Sequence, residues 1–268
     1  MKHATLAFIG GGNMASAILG GLRGAGRPAD AFVVVEPWQE QRERLAAAFG
    51  IEALPVPAKR LREAQLVVWA VKPQLFDGAA RAAAPYIGHA LQLSVMAGVT
   101  CARIAAASGS ARVVRAMPNT PALIGQGIAG LVATPEVSAL ERAEVEAVLA
   151  PTGRLLWLER EEQLDTVTAL SGSGPAYFFY ICEALVEAAS DLGLSAAQAR
   201  ELALATCGGA AALALQSPEP LATLRERVTS KGGTTHAALE SLRADGVAEA
   251  LQRAVRAAAA RAAELGRA

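Results

Sequence analysis

The first half of the chain alternates short apolar segments with longer segments of helical composition, and this alternation restricts the possible folds more than any other feature. The candidate strands are residues 6–9, 32–35, 66–71, 91–96, 113–117, 128–133 and 155–158. The candidate crossover helices between the early strands are residues 13–25, 39–49 and 74–86. Because nearly continuous apolar strands are typical of sheets covered on both faces, the pattern predicts an α/β fold with a mostly parallel sheet.

From residue 161 onward the sequence predicts helices only. Residues 175–192 have apolar side chains at helical spacing on one face, and the other faces carry further apolar side chains such as Phe179 and Tyr180. A helix that is apolar all round must be buried, either in a large core or against a partner subunit. Further helices are predicted at 195–216, 220–228, 235–243 and 247–265. Since 268 residues exceed the usual size of one domain, we predict two domains, residues 1–160 and 161–268.

Composition and charge exclude several classes of protein. The formal net charge is zero, so the basic surplus typical of a nucleic-acid-binding protein is absent. No apolar run reaches the roughly 18 residues of a membrane-spanning helix, and residues 1–3 lead into the first apolar segment without a secretory signal. The scattered Cys101, Cys182 and Cys207 are typical of reduced thiols in a cytoplasmic protein. The three histidines show no ligand spacing with the cysteines, so we expect no metal site.

A glycine-rich turn follows the first predicted strand and begins the first predicted helix. In L-A-F-I-G-G-G-N-M-A, Gly10, Gly12 and Ala15 occupy the three small-residue positions of the dinucleotide fingerprint G-x-G-x-x-G/A. Glu36 lies at the end of the second predicted strand, where a carboxylate can accept both ribose hydroxyls of NAD. The pattern predicts a dinucleotide site. The alternative for the turn is a glycine-rich turn that binds no ligand. The alternative for Glu36 is an exposed glutamate that begins a turn before Pro37.

Glu36 also bears on the choice between NAD and NADP. Two like unit charges about 4 Å apart, at an effective dielectric constant of about 20, repel each other by about 4 kcal/mol. The carboxylate therefore disfavours a 2′-phosphate. Arg42 and Arg44, on the next predicted helix, could offset this repulsion if Glu36 turned away.

Two polar residues follow later strands at the edge where open α/β sheets bind their ligands. Lys72, in A-V-K-P, is a candidate for contact with the cofactor or with a substrate carboxylate, and the alternative is a solvated lysine. Asn119, between two prolines in M-P-N-T-P, is a candidate hydrogen-bond partner of a nicotinamide carboxamide. The alternative for Asn119 is an Asx-turn residue.

A second small polar loop, V-T-S-K-G-G-T-T-H-A-A-L at residues 228–239, lies in the helical half of the chain. Gly232 and Gly233 allow the backbone to approach a ligand closely or to adopt positive φ. Backbone N–H groups at the start of the following helix would form a cradle for an anion such as a carboxylate. The alternative is an ordinary N-cap, since Ser and Thr are preferred there.

With these segments in order, the chain resembles the pyrroline-5-carboxylate reductase family. The matching motifs are F-I-G-G-G-N-M-A at 8–15, A-V-K-P at 70–73, M-A-G-V-T at 96–100, R-A-M-P-N-T-P at 115–121, L-S-G-S-G-P-A-Y at 170–177, and the loop at 228–239. The match spans almost the whole chain. The last two motifs are specific to the family, whereas the first is shared by many dehydrogenases.

The resemblance implies an N-terminal Rossmann-type, doubly wound domain followed by an all-α domain that interlocks with a second subunit, in a homodimer or an oligomer of dimers. It implies NAD(P)H-dependent reduction of 1-pyrroline-5-carboxylate, a cyclic imino acid, to L-proline, the last step of proline biosynthesis, at active sites in the dimer interface. The residues implied for binding NADPH or NADH are Gly10, Gly12, Asn13, Met14, Glu36, Ala70, Val71, Lys72, Pro73, Ala97 and Asn119. Those implied for substrate are Ser173, Gly232, Gly233, Thr234 and Thr235, and Thr235 matches the family's proposed catalytic residue.

The chain departs from the family pattern at three positions. Lys231 stands where many members have proline, and Glu36 is not expected of a strictly NADPH-dependent member. Glu219 is the nearest counterpart of a glutamate that lies near the substrate in some members.

Two other functions stay open on the sequence. One is a different imine or β-hydroxyacid reductase on the same two-domain plan. Many β-hydroxyacid enzymes use a lysine of the helical domain, where this chain has only Lys231. The other is a dinucleotide sensor without catalytic activity, which would not need the G-G-T-T loop.

Overall fold

The computed structural model of the protein describes residues 4–267, without the side chain of residue 267. Residues 1–3, over which the sequence predicts no signal segment, lie outside this range. The strands are β1 (Thr5–Ile9), β2 (Phe32–Val35), β3 (Ala64–Trp69), β4 (Leu91–Ser94), β5 (Val113–Met117), β6 (Gly127–Ala133) and β7 (Gly153–Trp157). They form one sheet in the order β2-β1-β3-β4-β5-β6-β7. All neighbouring strands in it are parallel except β5 and β6.

The α-helices are α1 (Asn13–Gly24), α2 (Gln39–Phe49), α3 (Phe76–Ile87), α4 (Cys101–Ser108), α5 (Ala139–Leu149), α6 (Gln163–Val167), α7 (Gly174–Asp191), α8 (Ala196–Gln216), α9 (Leu221–Arg227), α10 (Thr234–Ala244) and α11 (Val247–Arg267). The sequence does not predict α4, α5 and α6. Helices α4 and α6 are short, and α4 buries only Cys101, Ile104 and Ser108, which is too few positions for a clear helical period.

Apolar side chains of the strands are buried on both faces of the sheet. Leu6 and Phe8 of β1 belong to one apolar cluster, which includes the buried face of α1. Ala7 and Ile9 belong to a second cluster on the opposite face, which includes Phe76 of α3. This alternation follows from the two-residue period of a strand. The predicted doubly wound α/β fold is therefore confirmed.

The antiparallel pair β5–β6 has a simple cause in chain length. A parallel neighbour requires a crossover of a dozen or more residues. Only residues 118–126, which include the 3-10 turn Thr120–Ile124, connect the two strands. The chain therefore turns back on itself, and β6 runs antiparallel to β5.

The chain divides into two compact units. One contains the described residues up to Ser173 together with the end of the chain from Ala258, and the other is Gly174–Ala257. The predicted domain division at residue 160 stays a prediction. Within residues 4–267, no helix is both long enough and apolar enough to cross a membrane.

The second unit is entirely helical and exposes a large apolar surface. On α7 the structure buries only Gly174 and Cys182. Phe178, Phe179 and Tyr180 are 59%, 63% and 75% exposed. Large exposed apolar surfaces are typical of contact sites, so α7 is suited to contact a partner.

Glycines at the first positions of β6 and β7 let the two backbones approach closely. Gly153 has a φ of +132°, and a Cβ atom there would collide with the backbone of Gly127. At Gly127, a Cβ atom would lie 2.8 Å from the carbonyl oxygen of Thr152. Neither position has room for a side chain.

We predict that Gly153→Ala lowers the free energy of unfolding by about 3 kcal/mol, because it adds both steric overlap and an unfavourable φ. Gly24→Ala is the matched control. Gly24 ends α1 and has no atom within 4 Å of its Cβ position, so stability should be unchanged or higher by up to about 1 kcal/mol. Urea unfolding measures both variants, and equal stability of the two would contradict the prediction.

Candidate functional site

A cleft of about 300 Å³ lies at the carboxyl ends of β1, β2 and β3. It brings together six of the predicted cofactor residues, namely Gly10, Gly12, Glu36, Ala70, Val71 and Lys72. It is also lined by Pro37, Trp38, Glu40, Gln41 and Leu75, which the sequence analysis does not assign to the site. Trp38 stands shortly after the end of the second predicted strand, and this position is the sequence signal that could have assigned it to the cleft.

The turn after β1 can be formed only by glycine at its first position. Gly10 has a φ of +97°, and a Cβ atom there would lie 2.6 Å from the carbonyl oxygen of Ala70. The N–H of Gly10 donates to the carbonyl of Val35 at 2.8 Å. At Gly12, by contrast, a Cβ atom would meet nothing within 4 Å. Gly10 therefore closes the turn, while Gly12 leaves open space at the cleft.

Helix α1 begins at this turn with free donors. Gly12 is its N-cap residue, no side chain caps the helix, and no acidic residue lies in its first turn. The first N–H groups of a helix have no partner within it and carry its positive dipole end. These residues fit the pyrophosphate of a dinucleotide. Of the two predicted residues that follow, Asn13 is exposed, whereas Met14 packs partly against the core.

The carboxylate of Glu36 is held by the backbone on both sides. One oxygen accepts the N–H of Gly11 at 2.8 Å, and the other accepts the N–H of Trp38 at 3.0 Å. The side chain of Gln41 donates to the carbonyl of Gly11 at 2.6 Å. The glycine turn is therefore fastened to the segment after β2, and Glu36 faces the cleft with 9% of its surface exposed. Its contact with ribose stays a prediction.

Three cations lie at or near this cleft, in different environments. Arg42 donates to the carbonyls of Glu36 and Pro37 at 3.0 and 2.6 Å. Arg44 pairs with the carboxylate of Glu40 at 2.6 Å. Lys72 is exposed, and its ammonium has no hydrogen bond or ion pair within residues 4–267.

Other predicted residues lie outside the cleft lining. Pro73 and Ala97 line a neighbouring groove of about 380 Å³. The side-chain oxygen of Asn119 accepts the N–H of Ile128 at 3.0 Å, which leaves its amide nitrogen as the group available to a ligand. Ser173 follows a π-helical turn, Thr168–Gly172, and its N–H donates to the carbonyl of Thr168 at 2.8 Å. Such turns are frequent at functional sites.

The G-G-T-T loop forms a second helix start with free donors. Gly232 has a φ of +74°, and Gly233 is the N-cap residue of α10. No side chain caps α10 and no acidic residue lies in its first turn, so the ordinary capping alternative is not what the structure shows. The first helical N–H groups, those of Thr234 and Thr235, are available to an anion. Thr229 instead donates to the carbonyl of Arg225 at 2.6 Å.

Two residues of this unit that depart from the family pattern have clear positions. Glu219 pairs with Arg227 at 2.6 Å. Lys231 is exposed at the tip of the loop.

The cysteines are free thiols. Burial, followed by the nearby charge of Glu161, raises the pKa of Cys101 to about 12, so this thiol stays protonated at neutral pH. In the described part of the chain, no cluster of three or more His, Cys, Asp or Glu side chains is suited to hold a metal ion.

Two family models match the chain. Residues 161–265 match the model described as pyrroline-5-carboxylate reductase dimerisation. Residues 5–98 match the model described as NADP oxidoreductase coenzyme F420-dependent.

One relative and two solved structures that are similar over nearly the whole chain are named as pyrroline carboxylate reductases. The chain is 45% identical over 267 residues to pyrroline-5-carboxylate reductase of Pseudomonas aeruginosa, covering 99% of this chain and 98% of the relative. A pyrroline-5-carboxylate reductase structure from Coxiella burnetii superposes with a TM-score of 0.89 at 35% identity, covering 98% of this chain and 99% of the other. The Plasmodium falciparum pyrroline carboxylate reductase with NADP bound superposes with a TM-score of 0.88 at 26% identity, covering 99% of both chains.

We predict that Glu36→Ala lowers the free energy of unfolding by about 3 kcal/mol, because two backbone donors lose a charged acceptor in a buried position. Glu40→Ala is the matched control, since it removes a carboxylate of the same cleft whose ion pair is exposed. It should change stability by less than about 1 kcal/mol. Urea unfolding of both variants makes the comparison, and an equally small effect of Glu36→Ala would show that the two backbone bonds do not hold the turn.

Proposed function

The chain belongs to the pyrroline-5-carboxylate reductase family, and we propose that it reduces 1-pyrroline-5-carboxylate to L-proline, the last step of proline biosynthesis, in the cytoplasm. The observation that carries this function is the full-length similarity to reductases of that name. Two helix starts without a side-chain cap, one in each compact unit, support this function. The N–H groups of each are suited to bind an anion, such as the pyrophosphate of the cofactor or the carboxylate of the substrate.

We propose that the turn after β1 binds the dinucleotide, NADH or NADPH. Gly10 and Gly12 would allow the backbone to approach the pyrophosphate, with Asn13 and Met14 at the start of α1 beside it. Glu36 would accept ribose hydroxyls. Residues 70–73, Ala97 and Asn119 would contact the nicotinamide half. When bound, the nicotinamide cofactor supplies a hydride.

The G-G-T-T loop is proposed to bind the substrate. The N–H groups at the start of α10 would hold its carboxylate, because a helix start without an acidic side chain attracts anions. Gly232 and Gly233 would let the backbone approach, with Ser173 as a further contact. The hydroxyl of Thr235 would hydrogen-bond the ring nitrogen as that atom becomes an amine. Holding the imine carbon in near-attack geometry can contribute up to about 7–11 kcal/mol of rate enhancement.

The active site is proposed to lie at the interface of a homodimer, with the glycine turn of one subunit and the G-G-T-T loop of its partner. The support is the match to a dimerisation model over residues 161–265 and the exposed aromatic side chains of α7. Burial of those side chains against a second copy would remove them from water. Any larger assembly is proposed to be an oligomer of such dimers.

A direct assay tests the function. Purified protein is mixed with 1-pyrroline-5-carboxylate and NADH or NADPH in parallel, cofactor absorbance is followed, and L-proline is identified by chiral chromatography. Proline formation is expected with at least one cofactor. Binding of the dinucleotide without turnover would favour a sensor, and turnover of a β-hydroxy acid instead would favour the other reductase class.

We predict that Thr235→Ala lowers kcat about 10- to 100-fold, because one hydrogen bond that strengthens in the transition state is lost. Dinucleotide affinity, measured by fluorescence titration, should stay unchanged. Thr235→Ser restores the hydroxyl and should recover most of the activity. Wild-type turnover of Thr235→Ala would remove this residue from the mechanism.

We predict that kcat/KM falls tenfold per pH unit above the pKa of the substrate imine. A threonine hydroxyl is too weak an acid to protonate the imine, so the substrate must bind already protonated. Lys231 and His236 flank the loop, and Lys231→Met and His236→Asn are the controls: both should retain the alkaline decline. A flat profile in the wild type would contradict the prediction.

We predict that Phe179→Glu shifts the protein toward monomers, because it places a charge in the proposed subunit interface. Leu140→Glu is the matched control on α5, where Leu140 is 84% exposed, and it should leave the assembly unchanged. Light scattering coupled to size-exclusion chromatography gives the masses. An intact dimer of Phe179→Glu would place the interface elsewhere.

A further inference from the structure

Two large apolar side chains stand in water at the dinucleotide cleft. Trp38, which follows β2, is 70% exposed, and Leu75, which follows β3, is 55% exposed. Both line the cleft, and β2 and β3 flank β1 on opposite sides. An exposed indole beside a glycine turn offers a flat apolar face on which an aromatic ring can stack.

The backbone of Trp38 is held in place. Its N–H donates to the carboxylate of Glu36, which also accepts the N–H of Gly11. The guanidinium of Arg42 donates to the carbonyls of the two preceding residues, Glu36 and Pro37. The indole therefore projects from a segment whose position is fixed relative to the glycine turn.

The charges near the end of β2 do not suit a phosphate. Glu36 is a carboxylate that faces the cleft. The guanidinium of Arg42 is directed at backbone carbonyls, and that of Arg44 is paired with Glu40 at 2.6 Å. The unpaired cation in the cleft lining, Lys72, follows β3, across β1 from Glu36. A 2′-phosphate requires a cation near the acidic position, and here both arginines are engaged.

We propose that Trp38 is the platform on which the adenine ring of the cofactor stacks, and that Glu36 and the Glu40–Arg44 pair make this adenosine site selective for a free ribose 2′-hydroxyl, that is, for NADH over NADPH. The inference rests on the proposed function, since that function requires a nicotinamide dinucleotide. In this inference, Trp38 supplies the apolar contact with adenine, and Leu75 lies on the other side of β1. The charged residues after β2 determine the choice between NADH and NADPH.

The first experiment uses fragments that report the adenosine end alone. The full-length protein is titrated by calorimetry with 5′-AMP and with adenosine 2′,5′-bisphosphate. The dissociation constant of the bisphosphate should be at least about tenfold higher, because its added charge meets Glu36 without a free arginine. Equal affinity, or tighter binding of the bisphosphate, would overturn the selectivity.

Variants of Trp38 test the platform. Trp38→Ala should weaken 5′-AMP about tenfold, a usual loss when a stacked aromatic ring is removed, whereas Trp38→Phe should retain most of the affinity. Leu140→Ala, an exposed apolar residue outside the cleft, is the matched control and should bind like the wild type. Unchanged affinity of Trp38→Ala would overturn the platform.

Tryptophan fluorescence gives an independent readout. The chain has three tryptophans, and Trp69 is fully buried. Binding of 5′-AMP should quench the emission of Trp38, and the quenching should disappear in Trp38→Phe while the heat of binding persists. Quenching that persists in Trp38→Phe would show that the adenine lies elsewhere.

Two substitutions test the charges. Glu40→Gln frees Arg44 without touching the backbone bonds of Glu36, whereas Glu36→Gln removes the carboxylate charge together with one of the two backbone bonds. In each variant, the ratio of the dissociation constants of adenosine 2′,5′-bisphosphate and 5′-AMP should fall several-fold. An unchanged ratio in both variants would contradict the electrostatic argument. A protein that binds 5′-AMP as expected but forms no proline would contradict the proposed function alone. A protein that forms proline but prefers the bisphosphate would contradict this inference alone.

Discussion

The contact between the glycine turn after β1 and the backbone after β3 is the constraint on which the dinucleotide cleft depends. Gly10 lies so close to the carbonyl of Ala70 that no side chain fits between them. The turn can therefore end β1 in the plane of its neighbours and direct the start of α1 at the cleft. Glu36 then fixes the same turn from the side of β2. One backbone approach and one carboxylate thus set the geometry of everything that lines this cleft.

Much of the sheet could be predicted because its strands are buried on both faces. All seven predicted strands overlap the observed ones, since each is rich in apolar residues, although Gln92 and Ser94 interrupt the fourth run and Arg115 interrupts the fifth. The direction of β6 cannot be read from such a run, but the connection from β5 is short in the sequence itself, and a short connection favours the antiparallel pair that the structure has. Helices α4 and α6 have only 8 and 5 residues, so that no helical period stands out. Helix α5 is as long as α2 and begins with a Ser138–Glu141 capping box, a signal that its prediction could have used.

The parts of the site that depend on backbone conformation could be predicted from the sequence. The hydrogen-bond partners of its side chains could be predicted less well. Glycine positions and the strand end at Lys72 can be recognised from their residue types and order. The pairing of Arg44 with Glu40 follows from the i,i+4 spacing on a predicted helix. The engagement of Arg42 cannot be recognised in this way, because its partners are the backbone carbonyls of Glu36 and Pro37. Trp38 belongs to no predicted helix or strand; its position shortly after a predicted strand places it at the ligand-binding edge of the sheet, and its exposure in the folded cleft indicates a role.

The central claim is that one active site is built from the glycine turn of one subunit and the G-G-T-T loop of its partner, and subunit complementation tests it most directly. Gly12→Asp places a negative charge in open space at the proposed pyrophosphate position and should be nearly inactive alone. Thr235→Ala removes the proposed catalytic hydroxyl and should alone retain at most about a tenth of the wild-type activity. When the two chains are co-expressed, each mixed dimer would contain one site with both elements intact, so activity should recover to about a quarter of the wild-type value at random pairing. No recovery in verified mixed dimers would contradict a shared site.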